Sequence, residues 1–208
     1  MLRVLTRPSA LLAGGAVITT ALLAGCSHRA GPATAPTTAP TSSAAPTSSA
    51  SSAPADHLAP RLEARLPASL NGTALTRIST HGSAIFGQFG GTAWSQRMTA
   101  FLHRHGKSPA DLQYAQVFDP AKKLSLDAGA FDVAGIPAAA LAAAIVDSSK
   151  PDSPGLTAKP ANVAGKPVTV ESDPKSGSAL VLYAHDGAVF YVDGNNRFLA
   201  AEFVAAAH

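Results

Sequence analysis

From Ser27 to Pro60 the chain is almost entirely Ala, Pro, Ser and Thr, with runs such as Pro32-Ala33-Thr34-Ala35-Pro36 and Pro46-Thr47-Ser48-Ser49-Ala50-Ser51-Ser52. A stretch with so few bulky apolar side chains has little to offset the entropy lost on ordering, so it is expected to stay disordered and to act as a linker. It divides the 208 residues into a short N-terminal part and one candidate for folding, residues 61–208. Those 148 residues suit a single domain and can bury roughly 70% of their unfolded surface. The chain has one cysteine, so no intramolecular disulfide is possible and the fold has to rest on packing.

That cysteine, Cys26, follows Leu23-Ala24-Gly25. An aliphatic residue, two small residues and Cys resemble a bacterial lipobox, the site at which a signal peptide is cut and the new N-terminal cysteine is lipidated. Small residues let a peptidase grip extended backbone, and a thiolate is the natural nucleophile for a thioether to a diacylglyceryl group. The upstream residues agree independently. Arg3 and Arg7 make a positive start, and Ala10 to Leu23 is an apolar run broken only by Gly and Thr. The run is shorter than the roughly 20 residues of a membrane-spanning helix. The arginines are not adjacent, which points to the general secretory route and not to twin-arginine export. The expected organisation is a signal peptide over 1–25, a lipidated Cys26 with a disordered linker to residue 60, and one domain over 61–208.

Without Arg3 and Arg7, 14 Lys and Arg face 13 Asp and Glu, a net of +1. So small an excess carries no electrostatic footprint for nucleic acid. The linker, with an r.m.s. span of roughly 30 Å and a limit near ~100 Å, lets a domain stand off a membrane. Its Ser/Thr/Pro content suits a bare tether and an O-glycosylated stalk equally.

Within the domain, Leu66 to Gly72 reads as an extended entry and turn, followed by a strand over 74–79. A glycine-rich loop, 87–91, leads to a helix from about Thr92 to His105, where Trp94, Met98, Phe101 and Leu102 recur at helical spacing as a core stripe. Thr92 is its expected N-cap and Gly106 its stop. Ser108-Pro109-Ala110-Asp111 has the layout of a capped turn. Strands follow at 113–118 and 126–133, then a helix opened by Pro137 and running to about Val146 with Leu141 and Ile145 buried. Strands resume over 156–163 and 167–171.

Two apolar runs over 179–193 meet at Asp186-Gly187, a dipeptide that accepts the positive backbone angles of a tight type I′ hairpin. Asn195 or Asn196 then caps a last helix with Leu199, Phe203 and Ala206 on one face. The order predicts an α+β fold with a mainly antiparallel sheet and about three helices. Leu180 to Tyr183 and Val189 to Val192 are apolar without alternation, so both faces of the hairpin need a cover. Three helices can cover one face of a small sheet. The other needs a second layer, for which the N-terminal strands or the loop with Phe86 and Phe89 qualify, or another subunit or an apolar ligand such as an acyl chain.

Residues 70–79 and 163–172 resemble each other: Gly three residues ahead of an aliphatic-Thr pair, with Ser at the end. Such a pattern marks either two related halves or two similar turns. Gly-Lys-Ser-Pro-Ala-Asp-Leu at 106–112 and the closing tyrosine-containing hairpin are similar to phrases of uncharacterised actinobacterial lipoproteins. That resemblance covers Leu66 to the C-terminus loosely and implies no activity.

Catalytic and cofactor motifs fail on physical grounds. Gly106-Lys107-Ser108 lacks the earlier glycine of a phosphate-binding loop, since Phe101 stands there, and Gly106 ends a helix instead of opening one. No Gly-x-Ser-x-Gly elbow occurs. Ser172-Asp173-Pro174-Lys175 and Lys175-Ser176-Gly177 overlap in what reads as a turn, whereas penicillin-interacting enzymes hold these elements apart. His103 and His105 point to nearly opposite sides of a helix and cannot pinch one metal. Asn71-Gly72-Thr73 is first a turn signal. No metal, cofactor or catalytic residue is therefore expected, and Cys26 is the one site. The expected function is that of a membrane-anchored extracytoplasmic lipoprotein, acting as a non-catalytic binding or interaction module of the cell envelope. The alternatives are a carrier of a lipid or other apolar ligand, and a hydrolase built on a cluster such as His81 with Asp127 or Asp132.

Overall fold

A computed structural model describes residues 57–208, so the signal peptide, Cys26 and the linker up to residue 56 lie outside the described residues. The architecture is α+β, with a seven-stranded antiparallel sheet, a two-stranded hairpin and five α-helices. In chain order these are α1 (Pro60–Ala64), β1 (Ser69–Leu70), β2 (Thr73–Ala74), β3 (Thr76–His81), α2 (Gly82–Gln88), α3 (Ala93–Arg104), β4 (Leu112–Phe118), β5 (Ala128–Val133), α4 (Ala138–Ser149), β6 (Thr157–Val163), β7 (Lys166–Asp173), β8 (Ser178–His185), β9 (Ala188–Asp193) and α5 (Arg197–Ala206). The large sheet has the order β3-β4-β5-β9-β8-β7-β6.

The β8–β9 hairpin lies inside this sheet, and its register fixes two faces. Val181 pairs with Val192 and Tyr183 with Phe190, and these four belong to one core with Ala115, Val117, Ala128 and Ala130. Leu180, Leu182, Val189 and Tyr191 belong to a second core with Leu112, Phe131 and Val133. Since side chains alternate across a strand, the two cores lie on opposite faces. Leu62 of α1, Leu66, Leu70 of β1 and Leu199, Phe203 and Val204 of α5 close the first face. Ile85 of α2, Trp94, Met98, Phe101 and Leu102 of α3, and Leu141 and Ile145 of α4 close the second.

Both faces of the hairpin are thus covered by the chain's own helices. Three helices were expected at 92–105, 137–146 and after 196, and they form as α3, α4 and α5, with α4 one turn longer at its end. The two further helices correct that expectation. Helix α1 spans five residues, too few to show a period, and Pro60 opens it at a position where the missing N–H costs nothing. Helix α2 takes up part of what reads as a glycine-rich loop. Gly82 starts it because a Cβ there would lie 2.3 Å from the Pro109 carbonyl oxygen and 2.6 Å from Leu112 Cβ.

The linker boundary also moves. His57 bridges to Ser79 in parallel register, and Ala59 is 3% exposed, its N–H donating to Ser79 Oγ at 2.6 Å. Residues 57–60 are therefore part of the folded body. In α5 it is Ala207, just past the helix, and not Ala206 that is buried.

Local chemistry explains the element ends. The Thr92 side chain accepts from Ser95 N–H at 3.2 Å, and the Asn196 side chain accepts from Phe198 and Leu199 N–H. Gly106, at φ 67°, stops α3. Ser108 and Asp111 form a reciprocal capping box around a 3-10 turn. Two long cations fasten the C-terminus. Arg65 donates through Nε to the His208 carbonyl and through its other nitrogens to the carbonyls of His185 and Asp186, while its guanidinium lies over the Phe190 ring. Lys166 Nζ donates to the carbonyls of Val204, Ala205 and Ala207, satisfying helix-end oxygens that have no intrahelical partner. The edge strand β6 is almost wholly exposed, and Lys159 with Pro160 discourages pairing with another chain.

Three two-residue turns have positive φ at both central residues: Asn71-Gly72, Ala164-Gly165 and Asp186-Gly187. The resemblance between 70–79 and 163–172 is that of the first two turns. Past the turns the strands differ, since β3 is an edge strand and β7 lies between β6 and β8. Ala164 holds φ 51° without the local hydrogen bonding that lets Asn tolerate this region. Ala164→Asn is expected to raise stability by roughly 0.5–1 kcal/mol, read as a higher urea midpoint at unchanged slope; a lower midpoint would count against the turn assignment.

Candidate functional site

The structure places one of the two carboxylates considered for a hydrolase near His81 and the other away from it. His81 pairs with Gln113, and Gln113 pairs with Asp132, so His81 and Asp132 share a face with Gln113 standing between them. Their Cα atoms are roughly 10 Å apart by strand spacing. Asp132 faces the α1 side, where burial raises its pKa and the Arg65 guanidinium lowers it in part. Asp127 precedes the opposite end of β5, five residues away, and hydrogen-bonds to Tyr191 on the other face. His81 is thus brought near Asp132 and not near Asp127.

The remaining sequence motifs have structural roles. Ser172 and Asp173 end β7 and Pro174 to Gly177 make the β7–β8 turn, where Asp173 accepts from Lys175 N–H and from Ser176 Oγ. His103 and His105 are exposed at the end of α3, and the His105 ring sits 4.7 Å from that of Phe101. Among the described residues no group of three or more His, Cys, Asp or Glu could hold a metal ion. No described helix is long and apolar enough to cross a membrane.

Three arrangements of polar chemistry emerge that sequence patterns did not single out. The first is a buried hydrogen-bonded chain in the sheet. The Tyr114 hydroxyl lies 2.6 Å from that of Tyr191 and donates to Gln116 Oε1 at 3.2 Å, and Tyr191 reaches Asp127. Gly129 makes room for it, because a Cβ there would stand 2.9 Å from Tyr191 Cε1. Burial raises both tyrosines well above the usual phenol range. Burial, and then the Asp193 carboxylate, push Asp127 up to about 6. The chain therefore holds its proton at Asp127 to a higher pH than an ordinary carboxylate does, among phenols that stay protonated. Its sequence signal was faint, two tyrosines in separate strands with a glycine between their positions in register.

The second is Glu171 on β7. Paired with Leu180, it points to the face that α4 covers, is 1% exposed, and has no hydrogen-bond partner for either carboxylate oxygen. Burial raises its pKa to about 7, and the charge of Lys150 opposes the rise. A carboxylate directly after Val168-Thr169-Val170 was the available signal.

The third is an open cleft of about 500 Å³ between α3 and α4. Phe101, Ala100, Ala140, Ala143 and Ala144 supply apolar lining, Arg97 and Arg104 stand on the α3 side, and Asp147 on the α4 side. The alanine-rich α4 leaves this space because methyl groups cannot fill it. Arg97 Nη1 reaches the Asp147 carbonyl at 3.4 Å, and the Asp147 carboxylate is already paired with Lys150 at 2.6 Å. Such a lining can take an apolar surface and an anion together. No family model, curated protein or solved structure matches the chain.

Glu171 has a consequence for stability. An unfolded glutamate releases its proton near 4.5, the folded one near 7. Between these values the folded state keeps a proton that the unfolded state has lost, so stability falls as pH rises through this window and stays lowered above it. Glu171→Gln cannot ionise. By about pH 8 it should exceed the parent by on the order of 3 kcal/mol, with little difference near pH 4. Urea unfolding of both proteins across this range measures the difference, and a gap independent of pH would contradict it.

Proposed function

We infer that the chain is an extracytoplasmic binding module held to a membrane through Cys26, and that it works by association and not by chemistry. The observation that carries this reading is the contrast between its surfaces. Both apolar faces of the sheet are spent on the chain's own helices, whereas the α3–α4 cleft stays open with apolar and cationic lining. A carrier would need an apolar chamber, and the hairpin expected to line one has Leu180 to Tyr183 and Val189 to Val192 buried against α1 to α5. A module that binds partners needs instead a stable body, an accessible groove and a tether, and the long Ala/Pro/Ser/Thr segment ahead of residue 57 suits the last. Lipid attachment suits permanence, since each buried methylene contributes ~0.8 kcal/mol and more than one chain exceeds the marginal single-chain case.

The test is fractionation of cells producing the parent and Cys26→Ala. The parent is expected in the membrane fraction with its N-terminus at Cys26. The variant is expected uncut at this site, or released without lipid. A Cys26→Ala protein cut normally and fully membrane-bound would contradict the tether.

A further inference from the structure

We propose that the α3–α4 cleft is the docking site for an acidic helical segment of a partner protein, one that presents two carboxylates about two turns apart. The proposal rests on the reading of the chain as a binding module and names what its groove takes.

Charge decides the sign of the partner. Three ionisable side chains line the cleft, Arg97, Arg104 and Asp147. Asp147 is neutralised from outside by Lys150. Arg97 touches only a backbone carbonyl, at 3.4 Å. Arg104 makes no hydrogen bond or ion pair among the described residues. Two guanidinium groups therefore face the cleft without a carboxylate, and each can grip one by two parallel N–H bonds.

Spacing decides the form. Arg97 and Arg104 are seven residues apart on one helix, about 10 Å along its axis at 1.5 Å per residue. A second helix laid along the cleft offers side chains at the same interval when its acidic residues are also seven apart. The walls suit such a neighbour, because Ala100, Ala140 and Ala143 present only methyl groups and allow a backbone to come close. Helices pack at interaxial distances of 8–10 Å, the smaller value where the contact residues are small. A bilayer surface fits less well. The site is concave, and a narrow helix can enter it where a flat array of headgroups cannot.

The experiment is fluorescence anisotropy with the full chain and a labelled alanine-based helical peptide carrying two glutamates seven residues apart. Saturable binding is expected, weakening as salt rises. Changing both peptide glutamates to glutamine should weaken it at least about tenfold. The double variant Arg97→Gln, Arg104→Gln should do the same at unchanged thermal midpoint, both side chains being exposed. Ala143→Glu, also at an exposed position, puts a carboxylate on the cleft wall and should weaken binding likewise. Absence of saturable binding, or binding indifferent to all three changes, overturns the proposal. So does a result in which phosphatidylglycerol vesicles, and not the peptide, bind through Arg97 and Arg104. Peptide binding that persists in a protein found free of membranes would fault the tether alone, and a tethered protein that ignores the peptide would fault the cleft alone.

Discussion

The structure depends on a strand pair that cannot face water on either side. In β8 and β9 the apolar residues run without alternation, and antiparallel pairing sends them to both faces. Burying a Val, Leu or Phe side chain contributes roughly 1.5–3 kcal/mol, so either face left open would forfeit several times that. A single helical layer is therefore insufficient. The chain places α2, α3 and α4 on one side, and α1, α5 and the β1–β2 hairpin on the other. The sheet order follows the same logic, with the two-sided strands β5, β9 and β8 inside and the exposed β6 at one edge.

The second layer is built from the two ends of the described chain, which explains the investment in fastening them. Residues 57–66 and 197–208 meet over the first core, and each is short. Arg65 joins them through the His208 carbonyl, and Lys166 holds the end of α5 from the sheet. Both cations also lie over aromatic rings, Phe190 and Tyr183. Their aliphatic stems and charged heads are used together, so these contacts close the layer at its rim while Leu62, Leu66 and Phe203 close it at its centre. With both faces sealed in this way, neither apolar face of the sheet is left open, and the proposed cleft lies on the outer side of the helices.

Much of the fold was legible because local chemistry and long-range packing agree. Asp186-Gly187 names its own turn, Thr92 and Gly106 mark the ends of α3, and Ser108 to Asp111 form the capping box their spacing implies. The two-sided apolar hairpin announced a second layer but not its identity, since α1 is too short to display a period and α2 carries the glycines of a loop. Site chemistry was less readable still. The Tyr114–Tyr191–Asp127 chain joins residues 77 positions apart at its tyrosines, and only the β4–β5–β9 register brings them together. Arg97 and Arg104 look like a solvated helix face until α4, with its alanines, is placed beside them. Asp132 and Asp127 were equivalent partners for His81 in the sequence. The register distinguishes them, because one residue of offset changes the face and five change the end of the strand.

Residue-resolved hydrogen exchange tests the two-layer account most directly. With β8 and β9 sealed on both faces, the amides of Val181 to Tyr183 and Val189 to Val192 should exchange only through global unfolding, with the same free energy as urea denaturation, while those of the exposed strand β6 exchange orders of magnitude faster. If the β9 amides exchange as fast as those of β6, or through local opening well below the global free energy, the hairpin is not closed between two helical layers and the account fails.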